Sequence, residues 1–269
     1  MNRQMPLLLS DAIEISLQIL RDNQPDDASY YGCFSGGKDS CVIKRLAEMA
    51  GVNVEWHYNP CPDPPELIRF IRSQHHDVVW TRPKKPLWTT LSTRGMPAAW
   101  FRVCCSLAKE ANGKGRMKIV GVRAAESPRR ARSWQHVSAE AIAPILWWSD
   151  DDVWEFIRAE NIPYCSLYDE GFTRLGCVGC PLASQSKREI DFARWPKYER
   201  WWMNMCKKLW ENFDNDAERK ERMSKYGFNA WEDHWRAWRG DMREYLRIHK
   251  QEGAVDNLCG DNDLTRYMQ

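Results

Sequence analysis

Short apolar runs of strand length alternate with amphipathic segments along the first two thirds of the chain. The predicted strands are Tyr30–Phe34, Val52–Tyr58, Asp77–Thr81, Arg116–Val122 and Ala141–Leu146. Between and around them, apolar residues recur at helical spacing in Asp11–Arg21, Val42–Ala50, Glu66–Gln74 and Val153–Ala159. Gly51 is the predicted stop of the second of these helices, and Ser149 to Asp152 are the predicted cap of the last, with acids in its first turn. Because strands that alternate with helices form parallel sheets, the pattern predicts an α/β fold: a parallel five-stranded sheet flanked by helices.

The last third of the chain has a different character, rich in Trp and in charged residues. Helical spacing there predicts a helical C-terminal extension, and we divide the chain into domains at residues 1–185 and 186–269. Trp231, Trp235 and Trp238 recur at i, i+4 and i+7, which favours a core stripe. The alternative is a basic aromatic surface on which unpaired nucleic-acid bases stack. Between Lys187 and Lys250 the sequence has 16 Lys and Arg residues and 12 acidic residues, so this region carries a net positive charge.

A polar, Gly-rich loop joins the first strand to its helix, and it carries the clearest chemistry. Its residues are Ser35, Gly36, Gly37, Lys38, Asp39 and Ser40. Glycines let backbone amides approach an anion closely, and a helix N-terminus adds partial positive charge at the same place. Lys38 adds a full charge. The loop is therefore a candidate phosphate cradle, and an ordinary Gly-rich turn is the alternative.

The loop sequence resembles the signature of the adenine nucleotide α-hydrolase (PP-loop ATP pyrophosphatase) superfamily. A second segment, Gly121–Ser127, resembles the GxRxxES motif of its phosphoadenosine phosphosulfate (PAPS) reductase-like branch. The resemblance implies that the loop binds an adenine nucleotide, with Lys38, Asp39 and Arg123 as catalytic residues. It adds Arg123, Glu126 and Arg129 to the nucleotide site, where Glu126 would orient an arginine or hold Mg²⁺.

Four of the ten cysteines have the spacing of metal ligands. Cys177 and Cys180 form a CxxC knuckle, and Cys104 and Cys105 are adjacent in the sequence. Four thiolates suit Zn²⁺ or a [4Fe–4S] cluster, and adjacent cysteines, whose side chains diverge, fit a cluster better than a single small ion. Four buried free cysteines are the remaining alternative. The pattern, with Lys109 after the pair, is similar to that of adenylyl-sulfate reductases and of the pyrophosphatase-like subunit of DNA phosphorothioation systems.

These features together predict an enzyme that uses ATP and Mg²⁺ to adenylate a substrate for sulfur transfer. The expected partners are an adenine nucleotide and a sulfur donor such as a cysteine desulfurase. The acceptor is left open between a nucleic acid and a small molecule, and a homodimer is a further option. The rivals are a sulfonucleotide reductase that uses Cys259 as its thiol, and a non-catalytic nucleotide-binding iron–sulfur subunit.

Composition adds little to this interpretation. The formal net charge of +2 gives no overall bias toward nucleic acid, and no run of 18 apolar residues predicts a membrane span. Ten cysteines without a recognisable secretory signal indicate a reducing compartment. We therefore expect a cytoplasmic protein with no membrane partner.

Overall fold

A single sheet of five parallel strands confirms the predicted α/β architecture. The computed structural model describes residues 9–26, 28–98, 101–213, 216–240, 242, 245 and 247. The strands are β1 (Tyr30–Cys33), β2 (Val54–Tyr58), β3 (Val79–Trp80), β4 (Lys118–Ile119) and β5 (Ala141–Ile142). Their order in the sheet is β3-β2-β1-β4-β5, so β1 is the central strand and its C-terminal end opens into the Gly-rich loop.

The strands alternate with helices as the sequence pattern predicts. The α-helices are α1 (Leu9–Asp22), α2 (Lys38–Ala50), α3 (Pro65–Gln74), α4 (Leu87–Arg94), α5 (Pro128–Ser133), α6 (Asp150–Ala159), α7 (Gln185–Arg194), α8 (Pro196–Phe213), α9 (Ala217–Lys225) and α10 (Trp231–Arg239). A π-helix covers Cys105–Lys109, and 3-10 turns cover Ala124–Glu126 and Ser166–Tyr168. The helices α7 to α10 confirm the helical C-terminal region as far as it is described.

Two compact units make up the chain. The first combines Met1–Arg82 with Asn112–Gly176, and it contains the whole sheet. The second combines Pro83–Ala111 with Cys177–Gln269. The division into domains at residue 185 stays a prediction, because compactness does not test which segments fold independently.

The core of the first unit is built where α2 and α6 bury their apolar faces. Ile43 and Leu46 of α2 are fully buried, and so is Ile119 of the central sheet. Gly51 ends α2 in the left-handed region with φ 71°, and its N–H donates to the carbonyls of Ala47 and Glu48. This glycine cap is the stop signal that the sequence predicts.

The second unit is organised around tryptophans that are buried but hydrogen-bonded. Trp202 of α8 donates its indole N–H to the carbonyl of Val178 at 2.9 Å, and Trp238 of α10 donates to Pro97 at 2.7 Å. Trp238 is only 2% exposed, whereas Trp231 and Trp235 are partly exposed. The predicted core stripe is therefore fully buried at Trp238 alone.

Some predicted boundaries were wrong. The strands that were predicted at 116–122 and 141–146 are only two residues long, and Pro144, which has no N–H, cannot extend the second. The last three residues of the predicted loop, Lys38 to Ser40, form the first turn of α2. No helix among the described residues is long and apolar enough to cross a membrane.

Candidate nucleotide site and four-cysteine site

The Gly-rich loop turns sharply between β1 and α2. Gly36 has φ +76°, and a Cβ at this position would lie 2.7 Å from the side chain of Ile71. Only glycine fits both the backbone angle and the space. The chain then enters α2 at Gly37, which has no side chain to cap the helix. A helix N-terminus beside a tight glycine turn is suited to an anionic ligand.

Lys38 lies at the start of α2 with its side chain only 6% exposed. Its ammonium Nζ is 3.2 Å from a carboxylate oxygen of Asp150 and 3.6 Å from Asp39. The two carboxylates hold the buried cation in place. The lysine that the sequence assigned to phosphate binding is therefore preoriented at the loop.

Arg123 is almost completely buried, with 3% of its side chain exposed, and it bridges the same two carboxylates. Its Nε donates to Asp39 at 2.6 Å and its Nη2 donates to Asp150 at 2.6 Å. Nη1 donates to the carbonyl of Trp148 at 3.3 Å. The prediction that Arg123 contacts the nucleotide directly stays a prediction, because all three guanidinium nitrogens are engaged by groups of the protein.

The charge of Arg123 also acts on Asp150. Burial opposes the ionisation of Asp150, but the hydrogen bond and charge of Arg123, together with the charge of Lys38, hold its pKa below the usual value. The carboxyl group of Asp150 therefore stays ionised at neutral pH.

Glu126 contacts three arginines with its carboxylate. Its carboxylate accepts the backbone N–H of Arg123 at 3.1 Å, pairs closely with Arg130, and lies 3.5 Å from Arg174. The two predicted roles of Glu126, orienting an arginine of the nucleotide site or holding Mg²⁺, both stay predictions. Arg129 is exposed on α5, so its assignment to the nucleotide site is a prediction that the structure leaves open.

The remaining loop residues form a small hydrogen-bonded turn. Ser40 donates its hydroxyl to the carbonyl of Gly37 at 2.7 Å, and Ser35 Oγ lies 3.3 Å from Ser40 Oγ. Ser35 Oγ also accepts the N–H of Gly37 at 3.4 Å. The structure therefore brings Ser35, Lys38, Asp39, Ser40 and Arg123 together around the start of α2.

Tyr168 and Asp150 are site residues that sequence reasoning missed. The hydroxyl of Tyr168 accepts the backbone N–H of Lys38 at 2.9 Å, so it occupies an amide at the start of α2. Burial raises the pKa of Tyr168, which keeps the hydroxyl neutral. Asp150 was identified only as an acid in the first turn of a helix. No local pattern marks either residue, because each reaches the loop through the tertiary fold.

The four predicted metal-ligand cysteines all belong to the second unit. Cys104 and Cys105 lie at the start of a π-helix, a distortion that is frequent at functional sites. The thiol of Cys104 hydrogen-bonds to Cys105, and Cys177 and Cys180 both act electrostatically on Cys104. The thiols therefore lie in one neighbourhood, and their assignment as metal ligands stays a prediction.

Positive charge surrounds this group of thiols. The hydrogen bond from Cys104 is the largest cause that lowers the pKa of Cys105 to about 6, and Arg102 and Lys109 act in the same direction against burial. The donor chemistry fits a thiolate-bound metal centre. Over the described part of the chain, no three His, Cys, Asp or Glu side chains converge closely enough to hold a metal ion as they stand.

Comparison with known proteins identifies a family model and several relatives that match this chain. The family model of the phosphoadenosine phosphosulfate reductase domain matches residues 30–183, more than half of the chain. The adenosine 5'-phosphosulfate reductase of Staphylococcus haemolyticus is 23% identical over 195 residues, which cover 65% of this chain and 79% of that protein. An uncharacterized protein of Methanocaldococcus jannaschii is 30% identical over 203 residues, 68% of this chain and 48% of the relative. The chain thus spans about half the length of the second relative.

Solved structures are also similar to this chain. They include the phosphoadenylyl-sulfate reductase of Candida auris in a phosphate complex, with a TM-score of 0.44 and 15% identity. The superposition covers 65% of this chain and 97% of that chain.

Replacement of Arg123 by Lys tests the bridge between the two carboxylates. A single ammonium cannot reach Asp39, Asp150 and the carbonyl of Trp148 together, so we expect the free energy of unfolding to fall by about 2–3 kcal/mol. Chemical denaturation measures this change. Arg129→Lys is the matched control on the exposed surface, where we expect a change within about 0.5 kcal/mol. Equal stabilities of the two variants would contradict a bridging role.

Replacement of Tyr168 by Phe tests whether its hydroxyl stands where a phosphate binds. Loss of the hydroxyl leaves the Lys38 amide without its acceptor, so the melting temperature of the free protein should fall by a few degrees. The stabilisation by added ATP should rise, because the phosphate no longer competes with the hydroxyl for that amide.

Thermal shift assays with and without ATP measure both effects. Tyr164→Phe is the control, since its hydroxyl donates to Asp169 on the exposed surface. If Tyr168→Phe showed a smaller shift with ATP than the wild type, the hydroxyl would be a ligand of the nucleotide rather than its competitor.

Proposed function

We propose, since the chain belongs to the phosphoadenosine phosphosulfate reductase family, that it adenylates a substrate with ATP and so prepares that substrate for sulfur transfer. The observation that carries the proposal is the complete Ser-Gly-Gly-Lys-Asp-Ser loop, with Lys38 held between two carboxylates at the start of α2. A pyrophosphate leaving group needs this combination of a tight backbone turn and an oriented cation.

The charge balance of the site favours a nucleotide that brings its own metal ion. Two cations, Lys38 and Arg123, are offset by two carboxylates, Asp39 and Asp150. A bare anion gains little from a site with no excess positive charge. Mg²⁺ is commonly bound by one or two carboxylates together with substrate phosphates, so the two acids fit the predicted Mg²⁺ on ATP.

The proposed reaction proceeds in two displacements. A substrate oxygen forms a bond to the α-phosphorus while the bond between the α-phosphorus and the bridging oxygen of pyrophosphate breaks. Lys38 stabilises the charge that develops on the departing pyrophosphate, and Arg123 keeps Asp39 and Asp150 in position. A hydrosulfide from a sulfur donor then attacks the activated carbon, and AMP leaves with the oxygen. Neither step changes the net oxidation state.

The four cysteines complete the proposal as the residues that would hold a [4Fe–4S] cluster. Cys104, Cys105, Cys177 and Cys180 offer four thiol ligands in one unit, with zinc as the alternative occupant. When bound, such a cluster supplies electron-transfer or sulfur-delivery chemistry. Arg102 and Lys109 contribute positive charge, which suits thiolate ligands.

A second candidate function is reduction of a sulfonucleotide. The relative from Staphylococcus haemolyticus bears the name adenosine 5'-phosphosulfate reductase, and 79% of it is matched. In that mechanism a thiol attacks the sulfur of the sulfonucleotide and AMP leaves. Cys259, the thiol that the sequence offers for this role, lies outside the described residues.

Product analysis with each nucleotide separates these functions. We expect pyrophosphate and AMP from ATP when an acceptor and hydrosulfide are present, and transfer RNA, DNA and small-molecule acceptors should be tested in turn. Lys38→Met should lower the rate about 100-fold or more. Lys114→Met, which changes an exposed lysine in the same unit, should leave it within about twofold.

Two other results would each contradict the adenylation proposal. Sulfite release from adenylyl sulfate that is lost in Cys259→Ser would establish the reductase. Tight ATP binding with no pyrophosphate release under any condition would instead favour a non-catalytic subunit.

Metal analysis of protein purified without oxygen tests the cluster. We expect about four irons and four sulfides per chain and an absorption at about 400 nm. Cys177→Ser should lose the iron, the sulfide and the absorption. Cys33→Ser, at the end of β1 in the other unit, should retain the iron. One zinc per chain in place of iron would contradict the cluster and leave the nucleotide site unaffected.

A further inference from the structure

Helix α7 packs its buried face directly against the CxxC knuckle. That face carries Arg188, Asp191 and Phe192. Gly179, inside the knuckle, donates its N–H to Asp191 at 3.3 Å. A Cβ on Gly179 would lie 2.3 Å from the ring of Phe192, and its φ is +70°, so only glycine fits here. The knuckle and the buried face of α7 are thus in van der Waals contact.

Arg188 lies one turn before Asp191 on the same face and is only 5% exposed. Its Nη2 donates to the carbonyl of Trp238 at 2.5 Å and its Nη1 to the carbonyl of Gly240 at 3.2 Å. The guanidinium lies 4.6 Å from the centre of the Trp238 ring. Its Nε is buried and has no hydrogen-bond partner in the described part of the chain.

No acidic side chain among the described residues forms an ion pair with Arg188. The nearest candidate on its own helix, Asp191, is engaged by Gly179 and by Lys187. Carbonyl and ring contacts reduce the cost of burying a cation but leave its net charge uncompensated. Such a residue contrasts with Arg123, which has two carboxylates.

Among the described residues, the cysteines of the knuckle can supply negative charge to Arg188. Burial lowers the pKa of Arg188 to about 10, and negative charge on Cys180 opposes that shift. This agrees with the packing of the α7 face that carries Arg188 on the knuckle that contains Cys180. A metal centre bound by four thiolates carries excess negative charge, which a buried cation beside it would balance.

We propose that Arg188 is the buried countercharge of the four-cysteine site, a positioning residue that stabilises the thiolate form of Cys104, Cys105, Cys177 and Cys180 when they hold a metal centre. The inference rests on the proposed metal role of these cysteines and goes beyond it, because it assigns a partner outside the ligand set. It requires thiolate ligands but not a particular metal.

Cobalt binding to the metal-free full-length protein tests the role of Arg188. Co²⁺ bound by thiolates gives a charge-transfer absorption, so its affinity for the cysteines can be measured without any enzyme assay. Arg188→Met, which removes the charge from a side chain of similar length, should weaken Co²⁺ binding by about tenfold or more. Arg236→Met should change it by less than about twofold, since Arg236 is an exposed residue of the same unit, paired with Asp233.

A conservative variant separates the effect of the Arg188 charge from the effect of its hydrogen bonds. Arg188→Lys keeps the charge but loses the fork that reaches two carbonyls, so we expect it to retain Co²⁺ affinity within about threefold of the wild type. Chemical denaturation provides a second readout, which compares the free energy of unfolding of the metal-loaded protein with that of the metal-free protein. Arg188→Met should destabilise the metal-loaded protein more than the metal-free protein, because only the loaded site carries the excess negative charge.

Three results would overturn the inference. Arg188→Met could bind Co²⁺ as the wild type does, or it could lose the same stability with and without metal, which would indicate a purely structural role. Absence of thiolate–cobalt absorption in the wild type would remove the site itself. Zinc in place of iron in the untreated protein would contradict the proposed cluster alone, and an effect of Arg188→Met on Co²⁺ would still support the countercharge.

Discussion

The buried guanidinium of Arg123 is the interaction on which the candidate nucleotide site depends. A cation with 3% of its side chain exposed is costly unless anions and acceptors surround it, and three groups do so here. One lies on α2, one at the start of α6, and one is the backbone carbonyl just before α6. Arg123 itself follows β4. The side chain therefore fixes the ends of two helices relative to a strand of the sheet.

The same constraint determines where the loop lysine points. Asp39 and Asp150, which both accept hydrogen bonds from Arg123, also lie within 3.6 Å of the Lys38 ammonium. The fold thus orients Lys38 through carboxylates rather than through the glycines of the loop. The glycines contribute the tight backbone, and the acids contribute the direction and the charge balance that suits a metal-bearing nucleotide.

Local signals in the sequence were sufficient for the parallel sheet, the loop and its helix. Gly51 marks the end of α2, and Ser149 and Asp152 form a reciprocal cap at the start of α6, with Asp152 N–H donating to Ser149 Oγ at 3.1 Å. Such signals act within a few residues and can be recognised from spacing alone. The strand order could not be predicted in this way, because it depends on which strands pair across the sheet.

The residues that sequence analysis missed all act over long distances along the chain. Tyr168 accepts an N–H from a residue 130 positions earlier, and Asp150 binds Arg123 from 27 positions later. The local reading of Asp150 as an acid at a helix start was correct. Its second role as an anchor for two cations follows only from the position of α6 beside the loop, which no motif encodes.

Two buried arginines in the described part of the chain show how charge can indicate function. Arg123 has its anions in the protein, and its environment is complete without a ligand. Arg188 is equally buried, yet its contacts are two carbonyls and an aromatic ring, and one of its N–H groups has no acceptor in the described residues. Burial of such a cation would destabilise the folded protein unless a negative charge balanced it in the functional state. Because α7 packs on the CxxC knuckle, the balancing charge is best sought at the cysteines.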